Sequence, residues 1–353
     1  MNLKKITAFL LINFLILFFL IISTETFLGT WFEKNSFSHH MRGKRLQKIE
    51  FNFEKTNFSN FSANTTFRRD YYGFREEYEF DDKYDLSKIK LVFNGGSTGE
   101  EMFIPYDKTI VGNLNNFFKE DNFKFKIYNA SLSGKSLLGK INDFDVWFDK
   151  LENFSPQYII FYVGINDRKI PKKRFHDNNE EMNFSQKITN NISQKSFFWK
   201  KIKELKDIYF TTVREGHRFF DSDVQKKIKK GYVSFSEANE KFEIESVEER
   251  NTIENYKKNL NQLKEILKIK KIEPIFITQI NYEGNGDKML FLLNKELKKF
   301  SYKNGFNIIN LDEKINEPVN HLFWDEIHTN ELGSLYISEI IYPELKKIII
   351  KNK

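Results

Sequence analysis

The sequence contains no cysteine among its 353 residues. This absence excludes a disulfide framework, a thiolate metal site and a cysteine nucleophile, and it is compatible with either side of a membrane. An excess of one charge is also missing, because 56 Lys and Arg residues stand against 49 Asp and Glu residues and the net charge is only +7. The charges are interleaved and no recognition motif accompanies them, so the sequence predicts no nucleic-acid partner.

Signatures of bound cofactors are missing as well. No metal-ligand pattern appears among the six histidines, and adjacent His39 and His40 have no carboxylate or histidine partner at ligand spacing. The glycines at 95–99 are not followed by Lys-Ser or Lys-Thr, which excludes a phosphate-binding loop, and their spacing does not fit a dinucleotide fingerprint. The sequence therefore predicts neither a cofactor nor a metal ion.

The amino terminus carries a long apolar run. Lys4 and Lys5 precede residues 6–23, ITAFLLINFLILFFLIIS, which contain one amide and no charge. A helix over this run would extend roughly 27 Å, close to the hydrocarbon thickness of a bilayer. A cleaved signal peptide and a buried soluble helix are the alternatives, but no small-x-small cleavage site precedes Glu25 and the run is apolar on all sides. We expect residues 1–29 to be an uncleaved, single-pass anchor, with the lysines cytoplasmic and the following domain on the extracytoplasmic side.

The rest of the chain divides into a connector and one large domain. Residues 30–85 are aromatic and polar without a clear period, so we expect an extended connector or cap. Residues 86–350 alternate apolar runs with helical patterns, and an insertion at about 168–250 interrupts the alternation. Four apolar side chains of the insertion recur at helical spacing: Phe198, Ile202, Leu205 and Tyr209. This pattern favours a helix that covers the core, with a lid or a bilayer-facing surface as the alternatives.

The alternation predicts a parallel sheet between layers of helices. The predicted strands are residues 89–94, 124–130, 157–164, 273–280 and 306–311. The predicted helices are residues 109–121, 136–153, 252–269, 288–300 and 331–350, with Pro343 expected to kink or split the last one. Strands that alternate with helices of this length require right-handed crossovers. The expected fold is a three-layer α/β/α sandwich with a mainly parallel sheet, preceded by one transmembrane helix.

Unusual residues follow three of the predicted strands. These are GGS (residues 95–97), NASLSG (129–134) and GIND (164–167), and ligands collect at such strand ends in parallel sheets. Far downstream, Asp325 precedes His328 by three residues. That spacing lets the carboxylate reach one imidazole nitrogen and leaves the other as a base. Each motif alone is common turn or surface chemistry, and their order and placement give them weight.

The four blocks, taken in order, resemble those of the SGNH (GDSL-type) hydrolase superfamily, whose fold is flavodoxin-like. The similarity covers roughly residues 86–345 without the insertion, as GGST, NASLSG, GIND and DEIH. The resemblance implies the following roles: Ser97 as nucleophile, Ser97, Gly134 and Asn166 as oxyanion-hole donors, His328 as general base and Asp325 as its orienting carboxylate. The chemistry agrees, because a serine hydroxyl needs a base and the oxyanion of acyl transfer needs N–H donors.

Two further comparisons with the superfamily follow from the sequence. The stretch RRDYYGFREEYEF, which begins at Arg68, resembles the Asp-x-x-Gly-Phe-Arg stretch that precedes the first block in many membrane-anchored members. The family's usual Gly-Asp-Ser is here Gly95-Gly96-Ser97. The replaced aspartate is not a triad member, so the departure affects the positioning of the serine more than the expected activity.

The implied function is a membrane-anchored serine esterase that acts through an acyl-enzyme. The expected substrate is an ester, such as an O-acyl group of a cell-envelope carbohydrate or lipid, and the expected partner is the lipid bilayer. Three alternatives remain open: an O-acyltransferase that uses the same residues, an α/β-hydrolase whose G-x-S-x-G elbow is residues 95–99, and a non-catalytic polysaccharide-binding or assembly protein.

Overall fold

The computed structural model describes residues 3–29, 31–32, 47–53, 61–76, 84–169, 213–215 and 231–351, together with scattered positions between 185 and 202. These residues belong to two compact units, one formed by 1–43 with 180–212 and the other by 44–179 with 213–353. Four residues named from the sequence lie outside the described ranges: His39, His40, Leu205 and Tyr209.

The first unit contains the long apolar helix α1 (Leu3–Leu28). The part of α1 from Lys5 to Leu28 is long and apolar enough to cross a membrane, and a signal sequence would pass the same test. Near its end, the Glu25 carboxylate accepts hydrogen bonds from the backbone N–H groups of Phe197 (3.0 Å) and Phe198 (3.1 Å). These bonds tie the end of α1 to the second segment of its own unit.

The second unit is built from strands, helices and short 3₁₀ turns. Its strands are β1 (Lys48–Asn52), β2 (Asn64–Arg68), β3 (Leu91–Asn94), β4 (Ile127–Asn129), β5 (Tyr158–Tyr162), β6 (Val213–Glu215), β7 (Glu273–Ile277) and β8 (Asn307–Ile309). Its helices are α2 (Ser97–Glu100), α3 (Ile110–Glu120), α4 (Leu137–Val146), α5 (Phe235–Lys241), α6 (Val247–Lys270), α7 (Lys288–Asn304), α8 (Leu311–Lys314) and α9 (Glu331–Lys351). The 3₁₀ turns are Leu86–Lys88, Tyr106–Lys108, Phe148–Lys150, Ile165–Asp167 and Asn320–Leu322.

Five strands form a parallel sheet in the order β4-β3-β5-β7-β8. Helix α3 packs on α9, while α6 packs on both α4 and α7. Right-handed crossovers place these two groups of helices on opposite faces of the sheet, which confirms the predicted α/β sandwich. The strand order is that of flavodoxin-like folds. It reverses between β3 and β5, and ligands bind in the crevice at such a reversal.

The strands are shorter than the sequence predicts, and the last helix is not interrupted. All residues of β3 and β5 are buried, because helices cover both faces of the sheet. The predicted strand 273–280 ends at Ile277, since Thr278 turns to bond its hydroxyl to Asp312 (2.8 Å). Helix α9 continues through Pro343, so the expected split is wrong. Apolar residues of α9 on both sides of the proline are buried in the core, which stabilises the helix across the missing N–H.

A second, small sheet has the order β2-β1-β6 and comes partly from the predicted connector. Strand β1 pairs antiparallel with β2 and parallel with β6. Alternate residues of β1 and the residue that follows it point to one face of the small sheet. There they form an aromatic cluster with residues that follow Ser97 in the sequence and with Trp324. Its members are Ile49, Phe51, Phe53, Phe61, Phe67, Met102, Phe103 and Trp324. This cluster connects residues 47–67 to the carboxyl edge of the main sheet.

The carboxyl part of the insertion belongs to the core of the second unit. Helix α5 buries Ala238, and Phe242 just after it packs on Phe291 of α7. Helix α6 begins inside the insertion, where Ser246 and Glu249 form a capping box. These residues cover part of the core, but they are not the helix predicted from Phe198, Ile202, Leu205 and Tyr209. Phe198 and Ile202 belong to the first unit and Ile202 is exposed, so the role of that helix stays a prediction.

Candidate active site

Ser97 lies at the carboxyl end of β3, in the crevice between β3 and β5. Gly95 and Gly96 connect the strand to α2, which begins at Ser97. A Cβ atom at Gly95 would lie 2.9 Å from Ser131 Oγ, so this turn needs glycine to approach the neighbouring loop. Ser97 is partly exposed, while the residues on either side of it are buried. The turn therefore presents the serine hydroxyl at the edge of the sheet.

Asp325, His328 and Ser97 form a hydrogen-bonded row. His328 Nε2 lies 2.8 Å from Ser97 Oγ, and His328 Nδ1 lies 2.6 Å from Asp325 Oδ2. The other carboxylate oxygen of Asp325 accepts hydrogen bonds from the backbone N–H groups of Ile327 (2.8 Å) and His328 (2.6 Å). The backbone thus fixes the carboxylate, and the carboxylate fixes the ring. With a proton on Nδ1, Nε2 is an acceptor for the serine hydroxyl.

Trp324 packs flat on the imidazole of His328. The two ring centroids are 5.1 Å apart and the planes differ by 10°. The backbone N–H of Trp324 also donates to the His328 carbonyl oxygen at 3.0 Å. The stack restricts rotation of the imidazole, and an aromatic face attracts a cation when the ring is protonated.

The loop at residues 131–134 lies along the serine turn. Ser131 Oγ accepts a hydrogen bond from the Gly95 N–H at 2.9 Å. Ser133 lines the same cavity as the nucleophile turn. Gly134, the next residue, adopts φ +79°, a conformation that favours glycine. The loop therefore carries the Gly134 backbone to the serine side of the crevice.

Asn166 reaches the serine turn from the end of β5. Gly164 allows this turn with φ +127°. The Asn166 amide donates to the Lys135 carbonyl oxygen at 3.0 Å. Its Nδ2 is so near the serine turn that a Cβ atom at Gly96 would lie 2.4 Å from it. The structure thus joins Ser97, His328 and Asp325 directly, and it places the two proposed oxyanion donors on turns that adjoin the serine.

Two buried arginines, neither of which was predicted as a site residue, pack beneath the serine turn, and one of them is the arginine of the Asp-x-x-Gly-Phe-Arg stretch. Arg69 Nη2 lies 2.5 Å from Glu100 Oε1, and both side chains are buried. Arg75 donates to three backbone carbonyls, those of Glu100, Glu101 and Ile104. Burial lowers the pKa of the Arg75 guanidinium to about 10 and raises the pKa of the Glu101 carboxyl to about 7. These two arginines come from the predicted connector, which therefore braces the residues after the nucleophile.

The Asp-x-x-Gly-Phe-Arg stretch forms the turn that directs the Arg75 side chain toward the carbonyl groups after Ser97. Asp70 Oδ1 accepts hydrogen bonds from the N–H groups of Tyr72 and Phe74, both at 2.9 Å. Gly73 adopts φ +92°, and Phe74 is completely buried. Burial also raises the pKa of the Asp70 carboxyl to about 6. The stretch folds back on itself, and Arg75 then points under the serine turn.

Gln279 is a further residue that sequence reasoning missed. Its Oε1 accepts a hydrogen bond from the Ile165 N–H at 2.7 Å, and its Nε2 donates to Thr98 Oγ1 at 2.9 Å. It therefore joins the turn that carries Asn166 to the turn that carries Ser97. Its position in the sequence could have indicated this role, because Gln279 is a polar residue at the end of the apolar run EPIFIT.

The comparisons with known proteins give structural matches alone. No family model and no curated protein matches the chain. Among solved structures, TesA matches with a TM-score of 0.43 and 10% identity, over 73% of this chain and 98% of that one. A GDSL-like lipase from Bacteroides thetaiotaomicron matches with a TM-score of 0.39 and 15% identity, over 77% and 93%.

A member of the lipolytic G-D-S-L family from Veillonella parvula matches with a TM-score of 0.39 and 12% identity, over 71% of this chain and 95% of that one. The structural neighbours thus include GDSL-type lipolytic proteins, the group that the four sequence blocks resemble. Because these TM-scores lie below 0.5 and the identities below 25%, we infer the function from the geometry of the site.

Proposed function

We propose that this chain is an SGNH-type serine hydrolase that cleaves carboxylic esters through an acyl-enzyme. The observation that carries the proposal is the row Asp325–His328–Ser97, with spacings of 2.6 and 2.8 Å, at the reversal point of a parallel sheet. A carboxylate, an imidazole and a serine hydroxyl in this order activate the hydroxyl for attack on an acyl carbon.

The first half of the reaction acylates the serine. Ser97 Oγ attacks the ester carbonyl while His328 Nε2 takes the hydroxyl proton, and Asp325 stabilises the imidazolium that forms. The carbonyl oxygen becomes an oxyanion, for which the Asn166 amide and the N–H groups of Gly134 and Ser97 are the donors. When the intermediate collapses, the bond to the alcohol oxygen breaks and His328 gives its proton to that oxygen.

The second half restores the enzyme. His328 removes a proton from water, and the hydroxide oxygen attacks the carbonyl of the acyl-enzyme. The new oxyanion uses the same donors as the first. The bond to Ser97 Oγ then breaks, the serine regains the proton from His328, and the carboxylic acid leaves.

We further infer that α1 anchors the enzyme in a membrane, with the hydrolase on the extracytoplasmic side. The length and composition of α1 and the two lysines at its start support this arrangement. An enzyme held there meets cell-envelope material, so its substrate is an O-acyl group of an envelope carbohydrate or lipid. The bilayer is then its structural partner.

The test measures ester hydrolysis by the full-length chain in detergent, with p-nitrophenyl esters as substrates. Ser97→Ala and His328→Ala should each nearly abolish turnover, and the double variant should be scarcely worse, because each change removes the same step. Asp325→Asn should lower kcat by about 10⁴-fold with substrate binding retained. A fluorophosphonate should form a covalent adduct on the peptide that contains Ser97.

His321→Ala is the matched control, since this histidine is exposed and lies seven residues before His328 outside the row. It should retain the activity of the unaltered enzyme. Full esterase activity in a folded Ser97→Ala variant contradicts the proposal. Absence of both turnover and adduct in the unaltered chain favours a binding protein on the same fold.

A further inference from the structure

A cavity of about 190 Å³ opens beside the serine hydroxyl. Its lining comes from the serine turn, the residues that follow α2, and the loop that carries the histidine. The lining residues whose side chains matter for its chemistry are Thr98, Glu101, Met102, Phe103, Ile104 and Trp324. No residue of the described parts of the insertion contributes to it. The cavity therefore receives whatever group extends from an ester carbonyl held at Ser97.

The cavity suits an apolar group. Met102, Phe103, Ile104 and Trp324 give it apolar walls. The polar atoms in its lining are already bonded within the protein. Thr98 Oγ1 accepts from Gln279 at 2.9 Å, and the Glu101 carboxylate accepts from the Ile110 N–H at 2.7 Å and from neighbouring hydroxyls. A polar ligand group would lose its water without gaining a partner there.

The far wall is held firmly. Phe103 meets Phe51 edge-on with centroids 5.0 Å apart, and it meets Trp324 edge-on at 5.6 Å. Phe53 also meets Phe103 edge-on, with centroids 6.2 Å apart. Trp324 is in turn stacked on His328. The small sheet thus fixes the depth of the cavity, since its aromatic cluster stops Phe103 and Trp324 from moving back.

The geometry points to this cavity as the acyl-chain site, one that selects compact apolar acyl groups of about six to eight carbons. This inference rests on the proposed function and names its substrate class. An apolar protein cavity of about 150 Å³ holds one benzene molecule, which has six carbons. A volume of about 190 Å³ therefore accepts a hexanoyl to octanoyl chain or a benzoyl ring, whereas acetyl leaves it mostly empty and dodecanoyl exceeds it.

The test is the chain-length profile of kcat/KM for p-nitrophenyl acetate through dodecanoate, measured on the full chain in detergent. Each added methylene should raise kcat/KM about fourfold up to hexanoate, because burial of one methylene contributes about 0.8 kcal/mol. The rise from acetate to hexanoate is then about 200-fold, followed by a fall beyond octanoate. A second series varies the alcohol of hexanoate esters and should show no such optimum.

Phe103→Ala should move the optimum to longer chains by two to four carbons, and Met102→Ala should move it in the same direction while every aromatic ring of the cluster is kept. Phe125→Ala is the matched control, because Phe125 is a half-buried phenylalanine that stacks on Phe123 at 5.3 Å, away from the cavity lining. It should leave the profile unchanged. If Phe103→Ala fails to fold, Phe103→Leu and Met102→Ala carry the test.

A flat profile, an optimum at acetate or an optimum at dodecanoate overturns the acyl-site inference while ester hydrolysis, and with it the proposed function, stands. An optimum that appears in the alcohol series alone assigns the cavity to the leaving group and also overturns it. Absence of turnover on every ester, with no adduct on Ser97, instead overturns the proposed function.

Discussion

Gly96 lies where the SGNH superfamily usually has aspartate, and the structure leaves no room for a side chain there. A Cβ atom at this position would lie 2.4 Å from Asn166 Nδ2 and 3.4 Å from the Lys135 carbonyl oxygen. The backbone has φ −94°, outside the left-handed region, so alanine introduces no conformational strain of that kind. The substitution Gly96→Ala therefore acts on one group, the amide of Asn166.

The expected loss of activity follows from the distance between the new Cβ atom and Asn166 Nδ2. To restore an ordinary contact of about 3.4 Å, the Asn166 amide has to move by about 1 Å. A displacement of about 1 Å at a reacting centre costs about 10²-fold, and loss of one oxyanion donor costs about 10² to 10³-fold, or roughly 3–4 kcal/mol. We expect Gly96→Ala to lower kcat and kcat/KM about 10²-fold together. Gly96→Asp, which gives the Gly-Asp-Ser sequence usual in the superfamily that the blocks resemble, should lower them at least as much.

The assay is a double-mutant cycle on kcat/KM with Gly96→Ala and Asn166→Ala. If the new methyl acts by displacing the amide, the double variant should be no worse than Asn166→Ala, and the coupling energy should approach 3 kcal/mol, on the order of the loss of one donor. Thermal unfolding checks that all four proteins fold. The reasoning is refuted if Gly96→Ala retains full activity, or if its cost is the same with and without the Asn166 side chain.

Three further outcomes can be measured on the same protein. Arg75→Met leaves three buried carbonyls without their donor and should lower the free energy of unfolding in urea by at least about 3 kcal/mol, because each unpaired buried group costs about 1–3 kcal/mol. The exposed control Lys88→Met should change it by less than about 0.5 kcal/mol, and equal effects would contradict the brace. Burial raises the pKa of Glu101 from 4.5 to about 7, so the native state holds a proton that the unfolded chain has lost. The free energy of unfolding should then fall as pH rises from about 4.5 to about 7, and Glu101→Gln should flatten that part of the curve; an unchanged slope in the variant contradicts this. A carboxyl-terminal reporter that is active in the cytoplasm alone should be silent, and the chain should resist a carbonate wash, whereas release of a shortened soluble chain would identify residues 1–29 as a cleaved signal.

The main sheet could be predicted because its strands lie between two layers of helices. Strands covered on both faces are apolar at almost every position, as in YIIFY at 158–162, and such runs are visible in one sequence. Their ends were overestimated because apolar residues continue into the loops that build the site. The sequence predicted an interruption of α9 because proline lacks a backbone N–H. The buried contacts that hold the helix together involve residues distant in the sequence, so the local pattern does not reveal them.

The row of Ser97, His328 and Asp325 could be predicted because the order of the blocks combines with a general rule about strand ends. The contacts of Arg69 and Arg75 beneath this row could not be predicted. Nothing in the local sequence pairs Arg69 with Glu100, which is 31 residues away. The sequence gives only a weak indication of the small sheet. The sequence KIEFNF at 48–53 alternates apolar and polar residues, as a half-buried strand does, but its third strand is only three residues long.

Strand β1 pairs Glu50 with Val213, so the small sheet joins segments about 160 residues apart in the chain. Closing so long a loop costs more chain entropy than forming the main sheet, whose neighbouring strands are linked by shorter crossovers. Contacts of this separation form slowly, so we expect β6 to join the small sheet late during folding. The pairing of β1 with β2 joins residues only 12 to 20 positions apart, so the strand that carries Phe51 can form earlier. Ser97 and His328 are 231 residues apart, so by the same reasoning a freshly folded chain completes the row of Asp325, His328 and Ser97 no earlier than the small sheet.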